Sequence, residues 1–158
     1  MPTPTDTYIE NRERIQPNQT NNHDTAHGGV VMRLMDEIGA MSAMRFAGET
    51  CVTARVEGLN FVRPIPRGDI ARVESWAFDA GSTSVRVRLL VDREDPRTGE
   101  CERTSASRFV FVAVDEAGDP QPVPEFAVET DRDRELREAG RSDGDRELRA
   151  DRGEGSRG

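Results

Sequence analysis

Hydrophobic positions along this 158-residue chain fall into one long run and several short alternating ones. From Gly29 to about Phe46 apolar residues are nearly continuous: Val30, Val31, Met32, Leu34, Met35, Ile38, Ala40, Met41, Ala43 and Met44. The run is too long for an ordinary strand, consists of good helix formers and is apolar on almost every side. It predicts a buried helix, closed by Ala47-Gly48. The segments around it read as strands. "TDTYIENRERIQ" is a first one of modest quality, and "TCVTARVEGLNFV" is rich in β-branched residues and ends in the turn "RPIPRGD". "DIARVESWAFDA" runs into the tight turn "GST". "SVRVRLLVD" then alternates strictly, with Val85, Val87, Leu89 and Val91 on one face and Arg86 and Arg88 on the other. "RTSASRFVFVAVDE" becomes apolar on both faces in its second half, as in a central strand. With hairpin-length connections, the pattern predicts an α+β fold in which an antiparallel sheet of about five strands wraps around one long central helix. A single helix is a thin core for such a sheet, so self-association is expected.

Past Phe126 large apolar residues almost vanish, and "DRELRE" is echoed by "DRELRA". One leucine per repeat gives a helix little to dock with, so residues 128–158 are expected to form a disordered tail behind a domain spanning 1–127. All 22 basic residues are arginine, set against 30 Asp plus Glu for a net charge of -8. Such a surface lacks the basic face that phosphate backbones require, which excludes a nucleic-acid partner. It fits either a salt-adapted organism, where acidic surfaces keep proteins soluble, or a coding bias toward arginine. No stretch reads as a membrane span or a secretory signal, so a cytoplasmic protein is expected. Cys51 and Cys101 are expected to be buried free thiols. With His23 and His27 as the only histidines and no cysteine pair at ligand spacing, no metal site is expected.

The usual nucleophile elbow and phosphate loops are missing, and no histidine neighbours Cys51 in sequence. What remains is "AHGGVVMRLMDEIGA", a Gly-Gly pair opening the long helix with two carboxylates inside it. A helix start presents unpaired amides and the positive end of the dipole, and glycine permits close approach. That arrangement suits an oxygen that becomes negative during reaction, although by itself the signal is weak and a tight turn feeding a helix is the commoner explanation. Glu37 shares a charged stripe with Arg33 and Arg45, whereas Asp36 lies at its edge, beside Met32, Gly39 and Ala40. Asp36 is the better candidate for a general base.

Four separated blocks, "HGGVVMRLMDEIGAMSA", "VTARVEGLNFVRPIPRGD", "GSTSV" and "FVFVAVDEAGDPQPVPE", together resemble the hotdog-fold acyl-CoA thioesterases, in particular their acyl-CoA hydrolase subgroup. The resemblance covers about Pro17 to Glu125. It implies hydrolysis of acyl-CoA to free CoA and a carboxylic acid, within fatty-acid metabolism, without a cofactor. It also implies a homo-oligomer, either a dimer or a trimer of dimers. It places the catalytic aspartate, acting as general base or nucleophile, at Asp36 and the carbonyl-polarising backbone at Gly28 and Gly29. Thr25 falls where many members carry Asn or Asp, and His27, with His23 and Asp24, lies nearby. For CoA it points to Ser82, Thr83 and Ser84 beside pantetheine, with Arg63, Arg67 and Arg86 as candidates for the phosphates. Since Gly29 and Asp36 are roughly 10 Å apart along one helix, a site shared between subunits follows. A non-catalytic acyl-CoA binding or sensing protein is the alternative.

Overall fold

The computed structural model describes residues 1–142. A helical turn, α1 (Pro4–Thr7), precedes strand β1 (Ile9–Arg14), and one tighter turn (Pro17–Gln19) leads toward the long helix α2 (Gly28–Ala47). Strands β2 (Thr50–Glu57), β3 (Ile70–Ala80), β4 (Ser84–Glu94) and β5 (Cys101–Val114) follow, and α3 (Asp131–Arg141) comes last. The strands form one antiparallel sheet in the order β1-β3-β4-β5-β2. This is the expected α+β fold, with α2 packed on one face of the sheet. Among the described residues no helix is long and apolar enough to cross a membrane.

The alternation on β4 explains the layering. Val85, Val87, Leu89 and Val91 are fully buried and meet Val31, Leu34, Met35 and Ile38 of α2, together with Phe109 and Phe111 of β5. A Cβ at Gly39 would lie 3.1 Å from both Leu89 and Phe111, so this mid-helix glycine sets how closely α2 approaches the sheet. Gly48, at φ 70°, caps the helix in the left-handed region. Burial is incomplete, however. Met32, Met41 and Met44 on α2 are exposed, as are Val52 and Val56 on the edge strand β2. The opposite edge, β1, is charged: Glu10, Arg12 and Arg14 are exposed along it.

Two elements differ from the sequence expectation. "TDTYIENRERIQ" is not strand throughout, because Thr3 and Asp6 cap each other reciprocally and fix α1 before β1 begins. The expected disorder from residue 128 onward does not hold for 131–141, which form α3 on the outer face of the sheet. Leu136 is 4 % exposed, packed against Trp76 and Phe78. Backbone groups supply the rest of the docking: Trp76 Nε1 donates to the Leu136 carbonyl (2.7 Å) and Arg108 Nε to that of Gly140 (2.7 Å). A Cβ at Gly140 would stand 2.4 Å from Phe78, so glycine permits the contact. The second repeat, "DRELRA", lies outside the described residues.

Candidate active site

Helix α2 starts on His27, whose Nδ1 accepts the Gly29 amide (3.1 Å) while its carbonyl receives the Val30 amide (2.9 Å). The Gly-Gly pair is therefore not symmetric. Gly29 is exposed and its N–H is occupied by the cap, whereas the Gly28 N–H has no partner among the described residues. Gly28 lines a cavity of about 380 Å³ together with Asn21, Thr25, Val31, Phe61 and Ser105. His27 serves as a cap.

The loop before α2 is organised by Asn21. Its Oδ1 accepts the amides of His23 (2.9 Å) and Thr25 (3.3 Å) and the Thr25 hydroxyl (3.2 Å), while Asp24 takes φ 57° to close the turn. With the oxygen committed, the Asn21 NH₂ is the donor left for the cavity. Thr25 thus buttresses Asn21. His23 and Asp24 are exposed, and Asp24 pairs with Arg67 at 3.7 Å.

Asp36 stands mid-helix, roughly two turns on from Gly28. It is half-buried on α2, and its Oδ1 accepts a short hydrogen bond from Thr53 Oγ1 on β2. Thr53 stands next to a register shift between Thr53 and Arg55, an irregularity of the kind that re-aims side chains. One carboxylate oxygen is thereby fixed, and Oδ2 has no hydrogen-bond partner among the described residues. Asp36 does not reach the Gly28 cavity within its own chain. Thr53 pairs with Phe111 on β5, whereas the cavity floor includes Thr104 and Ser105, and the strand between spans roughly 20 Å.

Of the remaining candidates only Arg63 joins the Gly28 cavity. Arg63 lines the Gly28 cavity, held by Glu102 (3.2 Å) and the Arg103 carbonyl (2.8 Å). Arg67 is exposed on the lip of a separate cleft of about 570 Å³ that also contains Arg14 and Arg97. Ser82, Thr83 and Ser84 form the β3–β4 turn, where the carbonyls of Ser82 and Thr83 accept the amides of Val123 and Ala113. Arg86 lies on the outer face, bonded to Glu57 (2.7 Å) and stacked over Phe78. The turn and Arg86 are thus remote from the cavity in one chain. Burial pushes the Cys51 thiol up to about 11, which favours its protonated form near neutral pH, whereas Cys101 is exposed and not buried as expected.

Asn21 and Thr53 escaped the sequence reading. Thr53 looks like ordinary strand filler, and only the folded pairing with Asp36 marks it. Asn21 had a weak signal, an asparagine opening the polar turn "NQTNNHDT" just ahead of the helix start.

A sheet wrapped on a single long helix, with a polar helix start and a carboxylate on its flank, is the hotdog class of fold. The model of the thioesterase superfamily matches residues 23–100. The chain is 38% identical over 118 residues to an uncharacterized acyl-CoA thioester hydrolase, YkhA, of Bacillus subtilis, covering 75% of this chain and 69% of the relative. It superposes on an apo-hexameric acyl-CoA thioesterase with TM-score 0.79 and 29% identity, over 98% of this chain and 96% of that one. It superposes equally on an acyl-CoA hydrolase of Staphylococcus aureus solved with butyryl-CoA and CoA (TM-score 0.79, 29% identity, 97% and 93% coverage). The latter enzyme was also solved with an asparagine, an aspartate or a threonine replaced by alanine, residues spaced as Asn21, Asp36 and Thr53 are here. The chain belongs to the thioesterase superfamily.

Proposed function

We propose that this protein hydrolyses acyl-CoA thioesters in a site assembled from two copies of the chain. The carrying observation is the split itself. Asp36 with Thr53 lies midway along the α2–β2 face, Asn21 with the open Gly28 amide lies at the helix start, and the exposed apolar side chains Met32, Met41, Val52 and Val56 flank them. Adding a second β2 antiparallel to the first reverses the strand direction. The partner's Asp36 then faces this chain's Gly28, and Met32, Met41, Val52 and Val56 become covered. The partner's Ser82–Ser84 turn and Arg86 arrive from the same side, where they serve the CoA moiety with Arg67, while Arg63, paired with Glu102, lines the cavity. Further association of such dimers into a hexamer follows the hexameric relative.

The chemistry follows from the donors and acceptors in place. Asp36 Oδ2 takes a proton from water as its oxygen attacks the thioester carbon. The Gly28 N–H and the Asn21 NH₂ hold the resulting oxyanion. When the intermediate collapses the C–S bond breaks, and the CoA sulfur leaves with the proton that Asp36 had taken. Thr53 keeps the carboxylate oriented throughout. Two free cysteines support a reducing, cytoplasmic setting, and an all-arginine, acid-rich composition supports a salt-adapted one.

Complementation tests the shared site. Asp36→Asn is expected to cut kcat about a thousandfold, and Asn21→Ala about a hundredfold, without loss of fold. Mixing the two chains rebuilds one intact site in each mixed dimer, returning roughly a quarter of wild-type CoA release under random exchange. No recovery on mixing would place both groups in one chain's site and overturn the assignment.

A further inference from the structure

We propose that Ser105 positions the substrate by hydrogen-bonding an amide of the pantetheine arm, which lies in the cavity next to Gly28. This deepens the acyl-CoA reading and rests on it. Strand β5 forms the cavity floor beneath the segment that follows β2, and the Val62 amide bonded to the Thr104 carbonyl (3.0 Å) holds that segment above the floor. The register shift between Val91 and Asp92 leaves Thr104 out of step with β4, and its hydroxyl donates to the Val91 carbonyl (3.1 Å). Ser105, the next residue, is fully buried, lines the cavity, and its Oγ has no hydrogen-bond partner. Buried hydroxyls are seldom left unmatched, because stripping water from them is costly unless a partner replaces it. Ser107 has a similarly unpaired hydroxyl but does not line the cavity.

The surroundings select the partner. Val31, Phe61, Val62 and Ile65 give the cavity apolar walls. Arg63 is already neutralised by Glu102, so a phosphate gains little there. The Asn21 oxygen and the Thr25 hydroxyl are spent on each other. A plain hydrocarbon chain would leave Ser105 stranded. A flexible arm of methylenes interrupted by amides matches apolar walls with one deep polar group. Pantetheine is such an arm, its nearest amide lying two methylenes from the thioester sulfur. With the carbonyl at Gly28, that amide falls inside the same cavity.

The test compares butyryl-CoA with the butyryl thioester of a simple alkanethiol, which has no amide. Ser105→Ala is expected to raise KM for butyryl-CoA about tenfold with kcat within about twofold, and to leave the alkyl thioester unaffected, the size expected for one neutral hydrogen bond. Equal change on both substrates, or change on neither, overturns the proposal. So does a loss restricted to acyl groups bearing their own hydroxyl or carbonyl. Should the variant not fold, wild type supplies the answer: a butyryl N-acetylcysteamine thioester should be turned over at lower KM than an amide-free thioester of equal length, and parity overturns the idea. Wild type inactive on acyl-CoAs of every chain length would refute the acyl-CoA reading, whereas an active wild type with an indifferent Ser105→Ala refutes only the role of Ser105.

Discussion

The two faces of the sheet are finished to different degrees. On the outer face, charges pair in a ladder: Arg72 reaches Glu10 (3.0 Å), Glu74 (2.8 Å) and Asp92 (3.1 Å), Arg103 also meets Asp92 (2.5 Å), and Arg12 meets Glu94 (3.0 Å). Beside this ladder α3 covers Trp76 and Phe78, anchored to Asp79 through Arg137 (3.3 Å) and Arg141 (2.8 Å). Most charges of that face are paired within one chain. The α2–β2 face leaves four large apolar side chains more than 40 % exposed, counting Phe61 at the cavity mouth with Met32, Met41 and Val52, and its carboxylate rests on a single threonine. Exposed apolar area of this kind marks a binding surface. The difference teaches that one face of the same five strands is finished for stability while the other, which carries the candidate site, is left open.

Charging the unfinished side should have the largest effect. Val56→Glu buries a carboxylate against a second copy, so the protein is expected to sediment as monomers and to lose more than about a hundredfold in activity, since each half-site lacks its complement. An active monomer would break the comparison. Next comes the finished side, where Leu136→Ala should lower unfolding free energy by about 3 kcal/mol in urea titrations while leaving KM unchanged. A change in KM would mean that the two faces are coupled.

The smallest effect is acid-dependent. Asp133 is buried at the start of α3. Burial alone would raise its pKa, but the Thr5 hydroxyl and the amides of Glu129, Thr5 and Thr130 donate to it and hold it far below the usual carboxylate range. A carboxylate with a depressed folded pKa stabilises the protein above its unfolded value, near 3.9, and that contribution is lost as pH falls below it. The urea midpoint of wild type should therefore exceed that of Asp133→Asn at pH 6, and the gap should narrow as pH falls below about 4. A gap independent of pH would mean that the carboxylate's charge plays no part.

Helix α2 and strand β4 were legible because periodicity is a local property, and Val85 to Val91 declare their face without reference to anything else. Helix α3 was not. Its buried positions are Asp133, Leu136 and Gly140, helically spaced but only one of them large and apolar, and its docking runs largely through carbonyls that carry no residue identity. The site divides the same way. Asp36 and Gly28 announce themselves as an acid in an apolar run and a glycine at a helix start. Thr53 acquires meaning only once β2 lies beside α2, and Asn21 only once its loop folds back on Thr25.

The charged edge of β1 has a consequence for how large these particles grow. An unpaired strand is an invitation to add another, and a sheet with two welcoming borders would recruit copies without end. In the proposed dimer, the charged border bearing Glu10, Arg12 and Arg14 would stay uninviting, so a union along β2 would use up the hospitable margin and the ribbon would end at ten strands instead of lengthening into a fibre.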